Sequence, residues 1–329
     1  MVGENGWVAM KAVVYDRYGT PDQLRVDDVP TPTPQDGQVL VEVVATSVNL
    51  TDWEALRGSP MYARFGGLLR PAHRILGSDI AGRVAAVGPN VTRFRVGDEV
   101  YGDNLARMGG FAEFAIADES ALALKPAGLS FAEASTLPQA GAIASQAVAR
   151  GSAGDRMLIN GAGGGTGMFA IQLAVAAGIH VTGVDNAGKL EFMRSLGAEK
   201  VVDYRVEDFT RTGPYDLIVD LVAARSVFAY RRALARGGRY LVVGGTARAL
   251  LRVLTVGAAL GAVSGAHLGV LAVRQGPAHF APLAERCVAG DVRVHIDRQF
   301  TLDETPAALA YHGAGRAIGK IVVAVGDPR

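Results

Sequence analysis

The stretch Met157-Leu158-Ile159-Asn160-Gly161-Ala162-Gly163-Gly164-Gly165-Thr166-Gly167 decides the fold. A short apolar run leads into a cluster of glycines, and residues 168–177 then read as a helix. That order has a physical purpose. Glycine lets the main chain approach a diphosphate without a Cβ in the way. A helix starting there offers unpaired N–H groups and the positive end of its dipole. Gly167 permits close packing of helix and strand. A glycine cluster alone is weak evidence, because such loops also serve as plain turns. Here the next strand candidate, residues 180–184, runs directly into Asp185, an acid positioned to bind a ribose. Ala162, Gly163, Gly164, Gly165, Thr166 and Gly167 are therefore expected to cradle a dinucleotide, with Ala162 standing where the phosphate fingerprint has its first glycine.

Outward from this loop, strand-like and helix-like segments alternate. Ser130 and Glu133 form a capping box for a helix over residues 131–150. Residues 189–196 read as a helix, and 217–221 and 239–243 as strands. The alternation predicts an α/β unit with a doubly wound parallel sheet. Residues 10–125 differ: short runs rich in Val, punctuated by Gly and Pro, predict an all-β unit. Beyond residue 272 come a helix candidate, 280–289, and two strand candidates, 292–300 and 320–325.

A length of 329 residues accommodates two domains of ordinary size. Hydrophobic residues make up 49%, enough for a substantial core, and 33 Lys plus Arg against 32 Asp plus Glu leave a formal net charge of +1. Nothing in this balance asks for nucleic acid or an anionic membrane as a partner. Cys287 is the one cysteine, so an intrachain disulfide is excluded and a reducing, cytoplasmic setting is expected. Residues 1–10 lack the basic start and apolar run of a secretory signal. Residues 253–273 hold no Asp, Glu, Lys or Arg, long enough to cross a bilayer, with Gly257, Gly261, Gly265 and Gly269 at every fourth position. A buried helix or a close-packed subunit contact is expected there rather than a membrane span.

Several stretches carry a family resemblance. They are Ser47-Val48-Asn49-Leu50-Thr51-Asp52-Trp53, Ile75-Leu76-Gly77-Ser78-Asp79-Ile80-Ala81-Gly82, Val96-Gly97-Asp98-Glu99-Val100-Tyr101-Gly102, Gly110-Phe111-Ala112-Glu113-Phe114, Ser195-Leu196-Gly197-Ala198, Asp203-Tyr204 and Gly319-Lys320-Ile321-Val322-Val323. With them, residues 11–325 resemble the medium-chain dehydrogenase/reductase superfamily, in its zinc-free, quinone oxidoreductase-like branch. The resemblance implies a GroES-like β-barrel domain from residues 1–130 and 272–329, with a Rossmann domain, residues 131–271, inserted. It implies NAD(P)H-dependent reduction of quinones or activated C=C bonds, such as those of enones and enoyl thioesters, and usually a homodimer. Zinc-dependent relatives place a Cys near Asn49, a His near Ser78 and a Cys near Ala140. None of these ligands is present, and the four-cysteine structural lobe is missing, so no zinc is expected.

Without a metal, hydrogen-bond donors must stabilise charge on the substrate oxygen. The resemblance puts Asn49 near the nicotinamide, and its amide can donate. Tyr62 can donate or relay a proton, and Asp52 either orients Asn49 or caps a helix. Many relatives have a Thr and an aromatic residue where Ile143 and Ser145 stand here. Cofactor identity divides. Asp185 favours NAD(H) by accepting from a ribose 2′-hydroxyl, whereas Lys189, Tyr204 and Arg316 favour NADP(H) by contacting a 2′-phosphate. NADP(H) is expected, with NAD(H) as the alternative. Gly244 and Gly245 follow a strand and are expected along the nicotinamide. Two other readings remain: a zinc-free alcohol or carbonyl oxidoreductase, and a nicotinamide-binding regulatory or structural protein.

Overall fold

Runs of β-branched residues between turn residues become the short strands of the first unit: β1 (Ala9–Val14), β2 (Arg25–Pro30), β3 (Gln38–Ser47), β4 (Asp79–Val87), β5 (Glu99–Asp103), β6 (Phe114–Asp118) and β7 (Leu122–Leu124). Between β3 and β4 lies helix α1 (Leu50–Arg57), which starts at Asn49. The computed structural model describes residues 8–326, so the readings made on residues 1–10 and on the chain ends fall partly outside the described residues.

The expected helix over 131–150 is two helices, α2 (Phe131–Ser135) and α3 (Pro138–Val148). The capping box forms as read: Glu133 N donates to Ser130 Oγ at 3.2 Å, and Ser130 N donates to Glu133 Oε2 at 2.9 Å. Pro138 then ends the first helix, because it lacks an N–H and its ring crowds the preceding turn. Helix α2 packs on β3, β4 and β5. The chain therefore stays in the first unit as far as residue 139, and the second unit spans 140–274 instead of 131–271.

The second unit carries β8 (Arg156–Asn160), helix α4 (Gly165–Ala176), β9 (His180–Asp185), β10 (Lys200–Asp203), β11 (Tyr215–Asp220), β12 (Leu234–Val242) and β13 (His267–Val270). The strands form one parallel sheet in the order β10-β9-β8-β11-β12-β13. Order reverses across β8 and β11, where open α/β sheets bind ligands beyond their carboxyl ends. Met157, Leu158 and Ile159 are fully buried, as continuous apolar runs in a parallel sheet should be.

The apolar stretch 253–273 is neither one helix nor buried. A helical run passes through Ala247–Arg252, a π-helical turn Val253–Gly257 and Ala258–Ser264, and the chain then turns into β13. By length and composition Ala247–Ser264 could cross a membrane, with 18 residues, a mean hydropathy of 1.4 and 17% of the window buried. Leu251, Leu254 and Val263 are 62%, 59% and 90% exposed. The regular glycines serve the unit's own packing. A Cβ at Gly257 would lie 3.3 Å from the Leu268 Cβ, and one at Gly261 would lie 2.6 Å from the Ala266 carbonyl oxygen. Gly265 stops the helix with φ at 67°, a left-handed conformation that glycine adopts freely.

After residue 275 the chain returns to the first unit. There β14 (Ile296–Thr301) and β15 (Lys320–Ala324) complete a sheet in the order β14-β15-β3-β4-β5-β7, with β6 also on β3. The expected strand 292–300 begins later, at Ile296.

Candidate active site

The glycine loop closes off β8 and opens α4. Gly161 N and Ala162 N both donate to the Val184 carbonyl, at 2.9 and 3.1 Å, which ties the loop to β9. Gly164 is the residue before the first helical turn, with an ordinary extended backbone. A Cβ there would meet nothing closer than the Gly161 carbonyl oxygen at 3.6 Å, so the space is open. Gly167 is the reverse: a Cβ would lie 2.4 to 2.5 Å from the Ala162 backbone. Its role is helix-on-loop packing. Gly165, Thr166 and Gly167 form the first helical turn, whose N–H groups have no intrahelical partner.

Asp185 does end β9, but its carboxylate is used inside the unit. Oδ2 accepts from Gly163 N at 3.0 Å, and Oδ1 accepts from Asn186 N and Nδ2 at 2.9 and 3.0 Å. Lys189 Nζ lies 3.5 Å from Oδ1, and both residues are buried, 8% and 7% exposed. Tyr204, 40% exposed, follows β10, and its N–H donates to the Asp185 carbonyl. The Arg205 guanidinium stands 5.6 Å from the Tyr204 ring centroid. Sequence reading missed Arg205; the signal was its place at the end of a strand beside β9. Gly244 and Gly245 follow β12 after Val243, both with positive φ. Arg316 is exposed in the first unit, in the segment before β15. Also unread in sequence was Asp220 at the end of β11. Fully buried, it accepts from Asn160 Nδ2 and from the Tyr240 hydroxyl, each at 2.8 Å.

The first unit brings Asn49 and Asp52 into a buried polar cluster. Asp52 Oδ2 accepts from Asn49 N at 2.8 Å and so caps α1. Its other oxygen accepts from Gly77 N and Ser78 N at 3.1 and 2.9 Å. The Asn49 side chain turns inward. Nδ2 donates to Ser78 Oγ at 3.1 Å and to Asp79 Oδ2 at 2.8 Å, and Oδ1 accepts from Lys320 Nζ at 2.6 Å. Both amide hydrogens expected for a substrate oxygen are thus engaged. Asp79 also accepts from Ser47 Oγ and from Gln139 N. Burial pushes the Asp52 carboxyl up to about 7 and raises that of Asp79, while the same burial lowers the Lys320 ammonium. Asp79, Lys320 and Gln139 were not singled out from sequence. The ion pair joins residues on β4 and β15, and no local pattern announces it. Tyr62 sits elsewhere in the unit's hydrogen bonding: its hydroxyl donates to the Glu54 carboxylate at 3.2 Å.

Residues 35–127 match the family model of the alcohol dehydrogenase GroES-like domain, and residues 196–323 that of a zinc-binding dehydrogenase. The chain is 31% identical to a 2-methylene-furan-3-one reductase of Solanum lycopersicum, covering 95% of this chain and 79% of that one. It is 31% identical to a chloroplastic quinone oxidoreductase of Triphysaria versicolor, covering 95% and 98%. The structure of the quinone oxidoreductase from Coxiella burnetii superposes with a TM-score of 0.88 at 29% identity, over 97% of this chain and all of that one (100%).

The zinc in one model's description does not suit the residues here. Asn49, Ser78 and Ala140 offer an amide, a hydroxyl and a methyl group. The nearby carboxylates of Asp52 and Asp79 already accept from N–H and O–H donors. Among the described residues no group of three or more His, Cys, Asp or Glu side chains is placed to hold a metal ion. This donor set lacks the Cys and His ligands that zinc takes.

Proposed function

The chain belongs to the medium-chain dehydrogenase/reductase superfamily, in its quinone-oxidoreductase-like branch, and from that premise we propose that it reduces quinones or the activated C=C bonds of enones and enoyl thioesters with NAD(P)H, without zinc. The observation that carries the reading is the loop at Gly164. Open space, free first-turn N–H donors and the end of a parallel strand coincide there, which is what a diphosphate requires. Bound NAD(P)H supplies the hydride. The chain's own part is to grip the nucleotide, hold the acceptor beside it and balance charge on the substrate oxygen.

The proposed nucleotide is NADP(H). Asp185 is offset by Lys189 and spends its oxygens on Gly163 and Asn186, so it neither repels a 2′-phosphate strongly nor stands ready for a ribose hydroxyl. Tyr204 and Arg205 offer an aromatic face and an exposed cation at the neighbouring strand end. We place Arg316, Gly244 and Gly245 in the cofactor's surroundings, and Asn49, Asp52 and Tyr62 in support of the reacting groups. A cytoplasmic homodimer completes the proposal; a stable monomer in gel filtration contradicts its second half.

The test follows NADPH and NADH oxidation with 1,4-benzoquinone, an enone, an enoyl thioester and simple aldehydes. Turnover of quinone or enone that survives chelators supports the proposal. Activity confined to aldehydes, or tight nucleotide binding with no turnover, overturns it.

A further inference from the structure

Reducing an enone or a quinone takes a proton as well as a hydride, and the residues discussed so far are poor sources of one. Asn49 is an amide, and burial and the neighbouring Glu54 carboxylate push the Tyr62 phenol upward, away from easy release. The buried cluster of the first unit is a better place to look, because its charges do not balance. Asp52, Asp79 and Asp103 are 0%, 0% and 9% exposed, against the single ammonium of Lys320 at 3%. Holding three carboxylates beside one cation in such burial is costlier than binding a proton.

The hydrogen bonds say where that proton sits. Asp52 accepts from the main chain of Asn49, Gly77 and Ser78. Asp79 accepts from Ser47, Asn49 and Gln139 N, with the Lys320 ammonium 3.8 Å away. Asp103, at the end of β5, has one such donor, Leu105 N at 3.1 Å, and it alone of the three reaches the surface. Beside it stands Gln139, itself only 9% exposed. The Gln139 carbonyl accepts from Thr51 Oγ1 at 2.8 Å, while its Nε2 is buried with no hydrogen-bond partner. A buried amide donor without an acceptor calls for an explanation. Asp103 stands opposite Asp79 in the β4–β5 pairing, and Asp79 Oδ1 accepts from Gln139 N, so Gln139 lies beside this carboxylate pair and its amide favours the charged form of Asp103.

We propose that Asp103 carries the cluster's proton and delivers it to the substrate, and that Gln139 is the positioning residue whose Nε2–H pairs with the carboxylate left behind. This inference rests on the reductase reading above. When hydride reaches the β-carbon of an enone, the C=C π pair shifts to give an enolate. The Asp103 O–H bond then breaks, a C–H bond forms at the α-carbon, and Asp103 keeps the O–H electron pair. With a quinone the new bond is O–H at the ring oxygen. The substrate gains two electrons and two hydrogens, the nucleotide is oxidised, and water returns the proton to Asp103. Burial first, then the charge of Asp79, places the Asp103 carboxyl at about 7, within reach of neutral solution. Asp52 from α1, Asp79 from β4 and Lys320 from β15 are the charged groups of this cluster.

The full chain is assayed with NADPH and the quinone or enone it reduces best. Asp103→Asn should lower kcat by about 100-fold or more, the usual range for losing a general acid, and leave nucleotide affinity unchanged. In the wild type kcat should fall as pH rises through the Asp103 value, and this limb should vanish in Asp103→Asn. Gln139→Leu removes a donor from the carboxylate form, so its limb should move to higher pH. Carbon-13 NMR of the carboxyl groups in the nucleotide-free chain gives a readout that needs no turnover: one titration near pH 7 that is lost in Asp103→Asn, while those of Asp52 and Glu54 remain. A kcat within about 3-fold of wild type and an unmoved pH limb sink the inference. So does an Asp103 carboxyl that titrates near the ordinary value of about 4. If Asp103→Asn does not fold, the Gln139→Leu limb and the NMR titration decide in its place. A wild type that turns over no acceptor overturns the reductase reading and this inference together. A wild type that turns over while Asp103→Asn matches it overturns this inference alone.

Discussion

Two glycines of one loop separate ligand binding from folding. Gly164 has open space where a Cβ would go and a backbone any residue can adopt, so Gly164→Val should fold with an unchanged melting temperature. Its side chain would project into the space meant for the diphosphate, and calorimetry should detect no NADPH or NADH binding. Wild-type affinity in that variant sinks the loop assignment. Gly167→Val should act on the fold instead, because its Cβ would press on the Ala162 backbone at 2.4 to 2.5 Å, and backbone cannot step aside cheaply. Denaturant melting should show a loss of several kcal/mol, roughly the range of overpacked cores. Asn49 presents a third case. Its amide stands between the Lys320 ammonium and the Asp79 carboxylate, both buried. Asn49→Ala should therefore cost about 3 kcal/mol of stability, as other broken buried charge networks do, with nucleotide affinity unchanged. A variant as stable as wild type but with low kcat would return Asn49 to the donor role expected from family resemblance.

Elements written in consecutive residues were legible in the sequence; elements that depend on distant partners were not. The run 157–167 announced β8, its turn and α4 because strand, glycines and helix follow one another directly. The Ser130–Glu133 box marked the start of α2 for the same reason, but the reading ran through Pro138 and so misplaced the unit boundary. The short strand β10 went unread, since four residues carry little periodicity. In the stretch 253–273 regular glycines fit close helix–helix contact between subunits as well as packing inside the unit, so the spacing by itself does not choose. Gly257 and Gly261 let the helix sit on Leu268 and Ala266, the very segment that leads into β13. Gly261→Leu should lift the helix from this seat and lower the melting temperature by several degrees, a shift of about 1–2 kcal/mol in a chain of this size. Unchanged melting would show that the helix can move away at no cost. Of the site, Asn49 and Asp52 were legible because a family motif holds them together. Asp79 lies in a family stretch that by itself implies no role for it, and Lys320 lies 271 residues from Asn49, a contact only the folded sheet makes.

At the scale of the whole molecule, the first unit is built from both ends of the chain, and its polar cluster gains the Lys320 ammonium only when β15 pairs with β3. Folding therefore assembles the charges that its own stability must then bear. Burial raises the Asp52 and Asp103 carboxyls to about 7, and burial likewise raises Glu54 to about 7. In the unfolded chain such groups titrate near 4. Between those values the folded state binds more protons than the unfolded state, so unfolding free energy should fall as pH rises from about 4 to about 7 and level off above. The contribution is complete below the unfolded value and lost through the folded one. Lys320, lowered by burial, acts in the opposite sense, losing its contribution as pH falls through its folded value. Urea midpoints measured from about pH 5 to about pH 8 should therefore decline, and Asp103→Asn should decline less. Midpoints that stay level or rise would mean that all three carboxylates are charged in the folded chain, with Lys320 and the surrounding N–H donors sufficient to hold them.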